Sequence, residues 1–333
     1  MKNGLNVMSF FDGISCGQYA LYKLGVPIAV YYASEIDKFA IQITQKNFPN
    51  TVQLGDINKI NFADYEGKID LIMGGSPCQD LSIAGKRAGL KGERSGLFYK
   101  FVEAIQTIKP KYFLLENNYN MPQDAYEEIS RLMGCYPVLI DSALVSAQSR
   151  KRLYWTNVGP QQFNLFGFPT CDIPQPKDKK VTLKNILESG YPVQVDNCGK
   201  RINFVQTKSN TLLARDWKGF GNQQMTAVLE PLKVGYIGNV DAQSSRVYSI
   251  EGKSATLNAL GGGGGAKTGL YKIDLPDGKY IIRKLSPIEC ERLQTLPDNY
   301  TEGVSNTQRY KCIGNGWTVD VITHILSFME VVA

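Results

Sequence analysis

Four side chains in this sequence could do chemistry together. They are the Cys78 thiol in GGSPCQDLS, the Glu116 carboxyl in KYFLLENN, and the Arg150 and Arg152 guanidiniums in QSRKRLYW. A thiolate is a nucleophile. A carboxyl placed beside it can give or take a proton. Cys78 follows two glycines and a proline, a tight turn after an apolar run. The alternative reading of such a cysteine is a small buried apolar side chain. Glu116 is the stronger anomaly, because it ends an apolar run and a buried carboxylate is costly unless protonated or paired. The single histidine, His324, lies in the apolar, helical VDVITHILSFMEVV and reads as a packing or surface residue. Its isolation argues against Cys-His and Ser-His-Asp sites and most catalytic zinc sites. Acid–base work must then fall to carboxylates, thiols, Lys, Tyr or water.

The elements that must position these groups alternate along the first half. LNVMSFF (5–11), IAVYYASEI (28–36), TVQLGDI (51–57), IDLIMGG (69–75) and KYFLLEN (111–117) read as buried strands, bounded by Gly, Pro, Asp or Asn. GQYALYKLG reads as a helix capped by Gly25. SGLFYKFVEAIQTIKP reads as a helix carrying Leu97, Phe98, Phe101, Ile105 and Ile108 on one face and stopping at Pro110. YPVLIDSALV and RLYWTNV continue the pattern. This punctuation predicts an α/β fold with a doubly wound, mostly parallel sheet covered by helices. In such a sheet the strand ends that carry Cys78, Glu116 and the arginines share the ligand edge.

Beyond Pro160 the character changes. FGFPTCDIPQPKDKK reads as a linker, and residues 181–280 are short β-like runs rich in Gly, Asn and Ser. They hold an internal echo: RINFVQTKSNTLLA (201–214) aligns without gaps to RVYSIEGKSATLNA (246–259). Two similar hairpins is one reading; a two-part binding face with Ser, Thr, Lys and Arg turned toward a ligand is the other. Gly261 to Gly265 form a slack loop or a close backbone approach. Ser286 is expected to cap a helix from Pro287 that ends at Pro297. CIGNGW is expected to be a glycine-rich turn opening an apolar helix that packs on the first lobe.

The 333-residue chain is 43% hydrophobic and 20% charged, with net charge +6, which fits a soluble globular protein that tolerates a polyanionic partner. Its apolar runs are too short to span a membrane. No signal peptide is evident, so a cytoplasmic location in a bacterial or virally infected cell is expected, acting at the nucleoid, or a nuclear one in a nucleated host. Seven cysteines without a CxxC pair argue against a metal ribbon or a disulfide framework, and no metal is expected.

Two further acids specify a ligand. Glu35 ends the second strand, where a carboxylate can take both ribose hydroxyls. Asp56 ends the third, where it can accept from an exocyclic amine. Ordinary caps and turns are the alternative. FFDGISCG is not GxGxxG, which weakens a dinucleotide reading, and no phosphate loop is present. A nucleoside without emphasised phosphates points to S-adenosylmethionine. One reaction combines that cofactor with a thiol, a carboxylic acid and arginines but no histidine: methylation of cytosine at carbon 5. Thiolate addition at carbon 6 makes carbon 5 nucleophilic, and a protonated carboxyl can quench the charge at nitrogen 3.

The sequence resembles the cytosine-5 DNA methyltransferases over nearly its whole length. FFDGISCG, SEID, GDI, GGSPCQDLS, ENN, QSRKR, RKLSPIECERLQTLPDNY and GNGW stand in the family's order. FDGIS and PVLIDSALVSAQSRKRLYW look like the animal de novo branch, and the lack of chromatin-reading domains points to a stand-alone enzyme. The resemblance implies a catalytic domain at 1–165 plus 305–333, of the S-adenosylmethionine-dependent methyltransferase type. A smaller, mainly β or irregular target-recognition domain at 166–304 would be inserted in it. It implies that Cys78 is the nucleophile, that Glu116 acts at nitrogen 3, and that Arg150 and Arg152 hold the flipped base and adjacent backbone. Phe11, Asp12, Gly13, Ile14, Ser15, Glu35, Ile36, Asp56, Ile57, Pro77, Leu97, Asn315 and Trp317 would line the cofactor pocket. Gln148 would support the arginine loop and meet DNA.

Ser82, Lys86, Arg87, Lys91 and Arg94, in and after the Pro-Cys loop, would touch phosphates from a glycine-hinged lid, the alternative being a solvated loop. Three positions depart from the family pattern: Ser15 for glycine, Asn118 for valine, and Trp317 for a small apolar residue. None removes a catalytic group. The expected partner is double-stranded DNA, bound by a monomer. A tRNA cytosine-5 methyltransferase and a catalytically silent DNA-binding homologue are the rivals. The first is disfavoured by the long recognition lobe, the second by retention of Cys78, Glu116 and Gly13.

Overall fold

The computed structural model describes residues 4–76, 96–165, 167–188, 202–204, 233–237, 246–257, 270–274, 280–283 and 285–330. Its centre is a seven-stranded sheet of β1 (Leu5–Phe10), β2 (Ile28–Ser34), β3 (Val52–Gln53), β4 (Leu71–Gly74), β5 (Tyr112–Asn118), β6 (Val138–Asp141) and β7 (Lys151–Thr156). The order is β3-β2-β1-β4-β5-β7-β6. Strands β3 to β5 are parallel, and β7 runs antiparallel between β5 and β6. The chain winds outward both ways from the β1–β4 pair, so the switch point lies where Phe10 stands beside Gly74.

Helices α1 (Cys16–Lys23), α2 (Lys38–Asn47), α3 (Gly96–Ile108) and α4 (Gln123–Met133) fill the crossovers. The apolar stripe expected on α3 buries Phe98, Phe101 and Ile108, while Leu97 and Ile105 pack at its margin. Phe101 and Phe62 each meet Phe10 edge-on, with centroids 6.0 and 5.9 Å away. Such pairs are worth about 1 kcal/mol beyond area burial.

Three expectations about elements need correction. The 51–57 run holds only two strand residues, because Gly55 turns at φ +72° and Asp56 then caps a single 3-10 turn at Ile57–Lys59. The helix from Pro287, α5, stops at Leu293 rather than Pro297, and Thr295 sits at φ +54°. Its expected cap is present, as a reciprocal pair between Ser286 and Glu289. CIGN is not a turn: α6 (Asn306–Asn315) runs through it, and the turn is confined to Gly316–Thr318 before α7 (Val319–Leu326). Residues Val319, Val321, Ile322 and Ile325 then enter the main core, as Leu296 and Tyr300 do. His324 keeps a packing role, edge-on to Phe328 and 2.6 Å from Pro174 O.

Strands β8 (Gln161–Phe163) and β9 (Pro169–Cys171) form a hairpin. A five-stranded sheet follows: β10 (Ile202–Phe204), β11 (Lys233–Ile237), β12 (Arg246–Ser249), β13 (Leu270–Asp274) and β14 (Tyr280–Arg283). The two copies of the echo begin as β10 and β12, on either side of β11. In the second copy Lys253, Ser254 and Thr256 turn to partners within the protein rather than outward. Lys253, 1% exposed, donates to Val181 O and to Ser146 O at 3.0 Å, Ser254 pairs with Tyr271, and Thr256 donates to Ser149 O at 2.7 Å. A second apolar cluster, with Ala147, Leu257, Tyr271, Leu285, Leu293 and Ile313, packs this sheet against α5, α6 and the 146–150 loop.

Among the described residues no helix is long and apolar enough to cross a membrane, and no group of acidic, Cys or His side chains could hold a metal.

Candidate active site

The turn after β1 is built by backbone conformation. Phe11, Gly13 and Ser15 have φ of 55°, 58° and 57°, and α1 starts immediately after. Left-handed backbone costs an L-residue about 1 kcal/mol. Side chains hold this turn. Glu35 Oε2 accepts from Gly13 N–H at 2.8 Å, while Oε1 accepts from Ile36 and Asp37 N–H at 2.7 and 2.8 Å. A carboxylate offers about four acceptor positions, so Glu35 keeps capacity for a ribose hydroxyl. Asp12 takes hydrogen bonds from Ser15 Oγ and, at 2.8 Å, from Tyr31 OH. Burial pushes its carboxyl up to about 6, opposed by those hydroxyls. The hydroxyl of Ser15 thus compensates for the strain of a side chain where glycine would be relaxed.

The other expected pocket residues differ in exposure. Ile36 is 76% exposed beside Glu35, an apolar surface suited to a ring. Asp56 is aimed by Asn58, whose backbone and side-chain N–H groups bond its Oδ1 at 3.0 and 2.9 Å. Phe11 and Leu97 are half-buried, and Asn315 is exposed at the end of α6. Ile14 and Ile57 are core residues: both side chains are buried, and Ile14 O is taken by Tyr300 OH at 2.8 Å. They shape the turns from beneath.

Across the switch point lies a buried ion pair. Glu116, 8% exposed on β5, has Oε1 2.8 Å from Arg152 Nε. Its Oε2 accepts from the Trp317 indole N–H at 3.2 Å. Arg152 also donates to Asn118 Oδ1 at 3.4 Å. Gly75, just past β4, permits this arrangement: a methyl carbon built there would stand 3.0 Å from both Glu116 Oε2 and Trp317 Nε1. Asn117, which sequence reasoning left without a role although it follows Glu116, donates to Ser76 Oγ at 3.1 Å. It anchors the residue that leads into Pro77 and Cys78.

Pro77, Cys78, Ser82, Lys86, Arg87, Lys91 and Arg94 lie outside the described residues, as do the first echo beyond Phe204 and Gly261 to Gly265.

Gln148 and Arg150 are turned inward. Gln148 is fully buried; its Oε1 accepts from Leu257 N–H at 2.8 Å and its amide faces Gln294. It supports the loop, as expected, but has no surface with which to meet DNA. Arg150 is 6% exposed and donates to the carbonyls of Leu257, Gly314 and Gly316 at 3.2–3.4 Å. That placement ties its own loop to the 257 segment and to the end of α6; Arg152 alone of the two reaches Glu116. Gln294, not singled out in the sequence, adds to these ties by donating to Ile313 O and Gly316 O and accepting from Thr318.

The sheet order is that of the methyltransferase fold. The Entamoeba histolytica methyltransferase EhMeth superposes with TM-score 0.68 at 16% identity over 98% of each chain, and S. pombe Dnmt2 methyltransferase with 0.62 at 15% over 97% of each. Residues 5–330 match the family model of C-5 cytosine-specific DNA methylases, and the chain belongs to that family. Type II methyltransferase M.HhaI of Haemophilus parahaemolyticus is 28% identical over 97% of this chain and 93% of its own. Orphan methyltransferase M.SPRI of Bacillus phage SPR is 27% identical over 96% of each.

Proposed function

We propose that the protein transfers a methyl group from S-adenosylmethionine to carbon 5 of a cytosine flipped out of duplex DNA. The observation that carries this reading is the buried Glu116–Arg152 pair at the strand edge, one glycine-width from the segment that leads into Cys78. Family membership supports the cytosine and the DNA.

The residues around the first turn fit the cofactor. Glu35, with acceptor capacity left, would take the ribose; Asp56 and the exposed Ile36 would take the adenine; the N-terminal end of α1 and Trp317 would border the rest. When bound, the cofactor supplies an electrophilic methyl group. The chain's own residues prepare the base. The Cys78 thiolate forms a bond to carbon 6, and the electron pair of the ring double bond moves toward carbon 5 and nitrogen 3. Glu116, taking up a proton from solvent as the base enters, donates it at nitrogen 3 and accepts from the exocyclic amine, while Arg152 holds that carboxyl in place. Once carbon 5 carries the methyl group, loss of the carbon-5 proton to solvent, return of the nitrogen-3 proton to Glu116 and departure of the thiolate from carbon 6 restore the ring. We further propose that target recognition resides in the small β region within 166–304, which packs against the 146–150 loop, and that Lys86, Arg87, Lys91 and Arg94 meet phosphates.

The test is methyl transfer from labelled cofactor to duplex DNA and to tRNA, with bisulfite sequencing of the product. Transfer to DNA is expected, with Cys78→Ser and Glu116→Gln reduced by about a hundredfold or more. DNA containing 5-fluorocytosine should be trapped covalently at Cys78. Label entering tRNA alone would establish the rival reading, and full activity of Cys78→Ser would overturn the mechanism.

A further inference from the structure

Trp317 does more than border the cofactor crevice. Its ring crosses the switch point. On one side Trp317 Cζ3 lies 3.3 Å from where a methyl carbon on Gly17 would stand; on the other its Nε1 lies 3.0 Å from the same position on Gly75. The indole is thus seated between two glycines, and its one polar atom is aimed at Glu116 Oε2, 3.2 Å away. The opposite carboxylate oxygen is held by Arg152 Nε at 2.8 Å, and Arg152 in turn donates to Asn118. Four side chains from β5, β7 and the α6–α7 turn therefore form one line: Asn118, Arg152, Glu116, Trp317. Two of the three positions that depart from the family pattern, Asn118 and Trp317, are its ends.

We infer that Trp317 is a positioning residue for Glu116, and that Asn118 does the same work for Arg152. The carboxylate plane is fixed by two donors at different oxygens before any base arrives. Without the indole N–H, Oε2 loses its donor and the carboxylate can swing about the Arg152 contact. A hydrogen bond to a charged group of this kind is worth roughly tenfold or more in an equilibrium or a rate. Misplacement of a reacting carboxyl is felt in turnover rather than in ground-state binding. The ring itself, through its apolar faces, serves packing, so the two roles are separable by substitution.

The inference rests on the role proposed above for Glu116. It is tested by comparing wild type with Trp317→Phe, Trp317→His and Asn118→Val in single-turnover methyl transfer to duplex DNA. S-adenosylmethionine affinity is measured in parallel by equilibrium dialysis, and thermal midpoints by calorimetry. Trp317→Phe, which keeps the ring and removes the N–H, is expected to lower kcat about tenfold. Cofactor Kd and the KM for DNA should stay within about twofold. Trp317→His, which retains a ring N–H, should recover part of the loss. Combining Trp317→Phe with Asn118→Val should cost less than the product of the two single effects, since both act on one ion pair. An unchanged kcat in Trp317→Phe overturns the inference and leaves the role of Glu116 standing. So does a Kd weakened by the same factor as kcat/KM, which would make the ring a cofactor wall only. Absence of transfer by wild type overturns the role of Glu116, and this inference with it. If Trp317→Phe does not fold, the single Asn118→Val decides: a fall in kcat with unchanged Kd supports the line of contacts, and no fall overturns it.

Discussion

Gly75 and Glu116 stand so close that a methyl carbon on the first would lie 3.0 Å from Oε2 of the second, and equally close to the indole nitrogen of Trp317. Gly75 lies one residue past the parallel strand β4, and Glu116 is on its neighbour β5. The contact fixes how closely β4 and the Glu116 carboxylate approach at the point where the base is proposed to enter.

Gly75→Ala should therefore displace the carboxylate while sparing the fold, because the obstructing atoms are side-chain ends. Turnover is expected to fall at least tenfold, with the thermal midpoint lowered by only a few degrees and cofactor affinity little changed. Equal losses in all three would place the effect in the core instead.

Ser15 offers a stability test of the strained turn. Ser15→Ala keeps the φ of 57° but removes the hydroxyl that bonds Asp12, and should destabilise by about 1–3 kcal/mol. Ser15→Gly removes the same hydroxyl but also the strain, and should stay within about 1 kcal/mol of wild type. Chemical denaturation of the two variants side by side gives the comparison; an alanine as stable as the glycine would deny the strain.

Asp12 predicts a pH dependence. Its carboxyl is raised to about 6 by burial, against 3.8 for the unperturbed group. The folded protein therefore binds this proton more tightly than the unfolded chain. Its contribution to stability is fully present below pH 4 and is lost as pH rises through about 6, a loss of about 3 kcal/mol in all. Asp12→Asn lacks this titration, so the difference in thermal midpoint between wild type and variant should move against wild type between pH 4 and 7. A difference independent of pH would exclude the shift.

Gln148 separates support from contact. Gln148→Ala leaves Leu257 N–H without its acceptor inside the protein and should cost about 1–3 kcal/mol of stability. DNA affinity, measured well below the unfolding transition, should be unchanged. A weaker affinity in the folded variant would place this side chain on DNA.

Much of the site was legible in the sequence. Glu116 declared itself by ending an apolar run, Glu35 by its place after a strand, and Ser286 as a cap by its place before Pro287. What escaped were relations between distant segments. Sequence pattern located the β7 run but not its antiparallel course between β5 and β6, since a buried strand reads the same in either direction. Arg150 and Gln148 share a motif with Arg152, yet the three side chains go to different places. Arg152 and Arg150 alternate along the backbone with Lys151 between them, but only the segments packed above them decide that one meets a carboxylate and the other three carbonyls.

The sequence by itself determined the alternating elements, the absence of histidine chemistry and the order of motifs along the chain, because these depend on local periodicity and residue type. Only the tertiary structure decided that Trp317 donates to Glu116 201 residues away and that Lys253, Ser254 and Thr256 of the second repeat bond within the protein. Such pairings arise when the β1–β4 switch point brings separate loops to one edge, and no local pattern encodes which side chains then meet.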